Sequence, residues 1–106
     1  MRAVITIALL FFSTFASAGL TKHCGEVQRM RTWVNGSDTY GVRVEFKANP
    51  QRCLGGFYMK QTGNNRELVY ATILAAKMAN QAICFQVNDE NADIGNMCRI
   101  NYVYHP

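Results

Sequence analysis

Four cysteines, Cys24, Cys53, Cys84 and Cys98, constrain this 106-residue chain more than any other feature, and all lie downstream of residue 18. Their meaning depends on the compartment, and the first eighteen residues speak to that. Met1-Arg2 is positively charged, Ala3 to Phe15 is almost wholly apolar, and Ala16-Ser17-Ala18 supplies small residues at a cleavage site. The pattern predicts a secretory signal peptide over 1–18, cleaved after Ala18, with a single domain over 19–106. The apolar run is too short for a membrane span. The protein is therefore expected to be secreted or periplasmic. In an oxidising compartment an even set of cysteines reads as two disulfides, which compensate a small domain for its limited core. No Cys-x-x-Cys pair is present and only His23 adjoins a cysteine, so no metal site is expected.

Charge narrows the partners. The net formal charge is +4, and one of the positive charges, Arg2, belongs to the leader. The remaining basic residues are scattered and form no run, so a solvated surface explains them better than a nucleic-acid or anionic-lipid patch. No second apolar segment is long enough to anchor the remaining chain in a bilayer.

The element order follows from periodicity and breakers. Gly25 to Val34 reads as a strand whose imperfect alternation predicts a bulge or strong curvature. Asn35-Gly36-Ser37-Asp38 is a turn signal, and Thr39 to Lys47 alternates cleanly, with Val42, Val44 and Phe46 on one face. Pro50 ends that ladder. A third strand is expected over Gly56 to Gln61, with Gly55-Gly56 allowing a sharp bend or a close backbone approach. Arg66 to Gln81 is predicted as a mostly buried helix, capped by Asn64 or Asn65, with Leu68, Ala71, Ala75 and Met78 recurring on its apolar face. Ala82 to Asn88 and Cys98 to His105 complete the strands, the latter with Ile100, Tyr102 and Tyr104 on one face.

The order β-β-β-α-β-β is that of an OB-like five-stranded Greek-key barrel, mainly β with one helix (α+β), and the helix closes one end. Four cysteines allow three connectivities. In the OB topology the third and fifth strands run parallel and adjacent, and the first and fourth are neighbours, so Cys53–Cys98 and Cys24–Cys84 are the expected pairs. With its leader, its element order, the helix "LVYATILAAKMANQ" running into "AICFQV" and the late "CRINYVY" strand, the chain resembles the small secreted bacterial toxin B-subunit-like proteins, in particular the subtilase cytotoxin B-subunit-like set. That resemblance implies an OB domain, often a homo-oligomer, that binds glycans or a host-surface glycoprotein.

No hydrolase elbow, zinc-protease helix or phosphate loop is present. A small secreted ribonuclease could use two imidazoles, but His23 and His105 read better as exposed groups near the ends of the exported domain. No catalytic residue and no cofactor are expected. Binding is the better class. Trp33, the only tryptophan, lies beside Asn35 and Asp38, with Tyr40 beyond. An aromatic ring stacks on the apolar face of a sugar, while amide and carboxylate bond its hydroxyls. The competing reading makes Trp33 and Tyr40 a cross-strand pair over the core. A basic stacking face of Arg29, Arg31, Trp33 and Arg43 would suit nucleic acid, but export and a weak field argue against it. Asn35-Gly36-Ser37 is also a glycosylation sequon. The alternative to a glycan-binding protein is a periplasmic or extracellular protein-interaction module.

Overall fold

The computed structural model describes residues 20–35, 41–60, 63–88 and 95–106. The predicted leader over 1–18 lies outside them. The described residues form five strands and one α-helix in chain order: β1 (Leu20–Thr32), β2 (Val42–Phe46), β3 (Gly56–Met59), α1 (Arg66–Met78), β4 (Ala82–Asn88) and β5 (Met97–Tyr104). The strands close into a barrel in the order β1-β2-β3-β5-β4, with β4 returning to β1. Among the described strands only β3 and β5 pair in parallel. This is the expected OB-like architecture, and closure leaves the sheet no free edge.

β1 is longer than its sequence pattern indicates. It starts at Leu20 and not at Gly25, so His23 and Cys24 are strand residues. Its first half, Leu20–Glu26, pairs with β4, and its second half, from Val27, pairs with β2. One strand must serve two neighbours to close so small a barrel, and the register shift between Val27 and Arg29 supplies the bend. The hydrophobic alternation is hidden because more sheltered positions carry Thr21, His23 and Gly25. Gly25 is there for space: a Cβ would lie 2.8 Å from Phe46 Cδ2.

The core is built on three phenylalanines. The ring centroids of Phe46, Phe57 and Phe85 lie 4.8–5.0 Å apart, each ring touching the other two. Val44, Ile83 and Val87 pack around them, and Ile73 and Ala76 enter from α1. β4 has the cleanest pattern, with Ile83, Phe85 and Val87 fully buried as their alternation requires. β5 departs from its expected faces. Gln86 pairs with Tyr102 and Val87 with Ile100, so Asn101 is an extra residue. Beyond this bulge the faces exchange: Ile100 and Val103 pack on the core, while Tyr102 is exposed.

The helix also differs from expectation. It ends at Met78, and Asn80 adopts a positive φ of 54° just beyond. Asn65 holds the N-cap position without a side-chain cap bond; its carbonyl instead accepts from the Val69 N–H (3.0 Å). Among its residues only Ile73 and Ala76 are buried. The stripe Leu68, Ala71, Ala75 and Met78 faces solvent, with Leu68 69% and Met78 75% exposed. Both helix faces are apolar, so periodicity could not tell which one meets the barrel.

Two disulfides are present, Cys24–Cys84 and Cys53–Cys98, as the topology required. Cys24 and Cys84 are direct cross-strand partners on β1 and β4. Cys53 ends the 3-10 turn Gln51–Cys53 that Pro50 introduces, and its sulfur reaches Cys98 on β5 inside the core. The bend into β3 is held by Asn49, whose Oδ1 accepts from the Phe46 N–H and whose amide donates to the Leu54 carbonyl. At Gly55 a Cβ would sit 2.2 Å from the Gly95 carbonyl oxygen, which is the close backbone approach that the glycine pair suggested.

Candidate functional site

Trp33 is the first residue after β1. Its N–H donates to the Gly41 carbonyl (3.0 Å), and the Gly41 N–H donates to the Met59 carbonyl (3.3 Å). These bonds fix the base of the β1–β2 connection to the end of β3. The Trp33 ring is half-buried, with the Arg31 guanidinium carbon 5.7 Å from its centroid. α1 begins on the same side of the barrel. Its first turns carry Arg66, Glu67 and Tyr70, and Lys60 follows β3 directly.

These elements enclose an open cleft of about 650 Å³. Trp33 and Asn35 line it from the β1–β2 side, and Lys60, Arg66, Glu67 and Tyr70 from the β3–α1 side. Val42 and Met59 add apolar surface. The cleft thus combines aromatic rings with an amide, a carboxylate and two cations. Such a lining can stack a flat apolar surface and bond several hydroxyls around it.

Of the residues singled out from sequence, Trp33 and Asn35 meet in this cleft; Asp38 and Tyr40 lie outside the described residues. Sequence reasoning missed Lys60, Arg66, Glu67 and Tyr70. They are close to Trp33 only because α1 returns across the barrel end, which no local pattern encodes. The retrievable signal was the OB order itself, which places the start of the helix just after β3 and so near the strand-end loops.

The other candidates have different surroundings. Arg31 and Arg43 are register partners, and Arg43 lies 3.5 Å and Arg29 3.9 Å from Glu45 Oε2. Arg43 is also committed to the fold, donating from Nε (3.1 Å) and Nη2 (2.9 Å) to the Gly55 carbonyl. The proposed basic face is therefore partly neutralised. His23 is not an exposed end group: it lies within β1, half-buried, with Nε2 3.0 Å from Thr21 Oγ1 and its ring 6.4 Å from Phe57. His105 is exposed beyond β5. Among the described residues no cluster of three His, Cys, Asp or Glu side chains could hold a metal ion, and no helix is long and apolar enough to cross a membrane. The chain matches no protein-family model, no curated protein and no solved structure.

Proposed function

We propose that this protein is an exported, non-catalytic binding module, resembling toxin B subunits, whose cleft beside Trp33 receives a sugar of a glycan or host-surface glycoprotein. The observation that carries the reading is the meeting of Trp33 and Tyr70 with Asn35 and Glu67 around one open cleft. Aromatic rings supply stacking area at low entropic cost, and the polar groups supply orientation. Trp33 is the only tryptophan, so its fluorescence reports occupancy directly. The test is a glycan array on the disulfide-intact protein, followed by titration of the hits against Trp33 emission. Quenching that saturates, and that Trp33→Ala removes with the melting temperature held, supports the reading. Array hits that leave Trp33 emission unchanged, or an array without hits, refute it.

A second reading is a protein-interaction module, and the exposed Leu68, Leu74 and Met78 on α1 favour it. Light scattering on the same sample separates the two. Glycan binding by an oligomer supports the first, and self-association without glycan binding, lost in Leu68→Gln/Met78→Gln, supports the second.

A further inference from the structure

A second, smaller cleft of about 310 Å³ adjoins the first and shares Met59, Lys60 and Arg66 with it. Its polar lining is Lys60, Asn64, Asn65, Arg66, Arg99 and Asn101. Among the described residues no acid lines it. Several cations elsewhere have partners: Lys47 bonds Glu26 at 2.9 Å, Arg29 and Arg43 share Glu45, and Lys22 and Arg31 lie over aromatic rings. Lys60, Arg66 and Arg99 have no carboxylate partner among the described residues. Among the described residues, then, two carboxylates offset part of the charge on the β1–β2 side, and three cations without a described carboxylate partner meet at the β3–α1–β5 junction.

We infer that this second cleft is an anion subsite for a sulfate or phosphate ester carried by the sugar in the first cleft. The inference rests on the proposed sugar reading and names its substrate class. Lys60 comes from the end of β3, Arg66 from the start of α1 and Arg99 from β5. Three cations from three elements suit a tetrahedral ester, which presents three terminal oxygens to separate donors. A carboxylate presents two oxygens in one plane and would leave a cation unused. The carboxamides of Asn64, Asn65 and Asn101 add donors around the same group. Because Lys60 and Arg66 border both clefts, a ring against Trp33 and Tyr70 would carry its ester toward these cations.

The test is an NMR titration of the disulfide-intact protein with galactose, galactose 6-sulfate, galactose 6-phosphate, galacturonate and inorganic sulfate at fixed ionic strength. The probes are the Trp33 indole N–H and the Arg66 and Arg99 Nε–H groups. The inference expects both esters, or one of them, to bind at least tenfold tighter than galactose and galacturonate and to shift all three probes. Lys60→Gln/Arg66→Gln/Arg99→Gln should bring the sugars to one common Kd, while Arg29→Gln leaves the order intact. Arg66→Gln alone, at an exposed position, should lower ester affinity by a few-fold and guards against misfolding of the triple variant. Galactose and its esters binding equally, with Trp33 shifting, would overturn the subsite and leave the sugar reading standing. Galacturonate matching the esters would overturn the ester assignment. Inorganic sulfate binding as tightly as the esters without a Trp33 shift would overturn the link between the clefts, and no shift with either ester would overturn the subsite, the sugar reading being decided by the glycan array.

Discussion

The two disulfides close loops of similar length, and that makes their removal informative. The sequence separations are 45 for Cys53–Cys98 and 60 for Cys24–Cys84. Loop-closure entropy assigns each about 4 kcal/mol, with the longer loop ahead by only a few tenths. Their environments differ sharply. Cys53 and Cys98 are both fully buried in the core, whereas Cys24 is exposed and only Cys84 is enclosed. Replacing Cys53 and Cys98 by alanine therefore removes two packed sulfurs as well as the cross-link. At roughly 0.8 kcal/mol per buried methylene-sized group, the added loss is about 1–2 kcal/mol. Cys53→Ala/Cys98→Ala should cost about 5–6 kcal/mol, and Cys24→Ala/Cys84→Ala about 4–5 kcal/mol. Small domains hold about 5–15 kcal/mol in total, so the first variant approaches the unfolding threshold. The assay is equilibrium urea denaturation of the two double variants beside the parent, with slopes compared to detect changes in the unfolded state. A larger loss for the Cys24–Cys84 variant, or a loss below 1 kcal/mol for either, would refute the reasoning.

Three further substitutions test the packing. Phe85→Ala removes the ring that contacts both Phe46 and Phe57 and should cost about 3–5 kcal/mol by thermal or urea unfolding. Gly55→Ala drives a methyl group against the Gly95 carbonyl and strains the bond from the Gly55 N–H to Asn96; it should lower stability by about 1–3 kcal/mol without changing core packing, seen as a reduced melting temperature. Ile73→Ala should cost about 2–5 kcal/mol, while Leu68→Ala, five residues earlier on the solvent face, should stay within about 0.5 kcal/mol. Equal losses at the two positions would show that the helix presents a different face to the barrel.

The fold was legible where the chain obeys one period. β2 and β4 alternate cleanly, the Asn-Gly and Pro50 breaks fall between strands, and the helix start is marked by asparagines followed by Glu67. Element order then selected the barrel and, through it, both disulfides. What failed did so for specific reasons. β1 hides its first half because its sheltered positions hold Thr21, His23 and Gly25 instead of large apolar groups. β5 exchanges faces at Asn101, and a one-residue bulge leaves no mark in a hydrophobic pattern. The helix carries apolar residues on both faces, so its buried side depended on how a particular barrel end is shaped. The site shows the same division. Trp33 and Asn35 were visible as an aromatic beside a turn, whereas Lys60, Arg66, Glu67 and Tyr70 join them only through tertiary return of the chain.

The cysteine pairing carries a cost in time. In chain order the cysteines run Cys24, Cys53, Cys84, Cys98, and the native bonds join first to third and second to fourth. The two covalent loops therefore interlock, and neither closes between neighbours in sequence. A chain entering an oxidising compartment from its N-terminus presents Cys24 and Cys53 together before either native partner emerges. Oxidation at that moment gives a non-native bond, and thiolate attack must later undo it. The parallel β3–β5 pair forms only once β5 has emerged. In such a compartment a catalyst that reshuffles bonds would favour the barrel, and one that only forms them would hold the chain half-threaded.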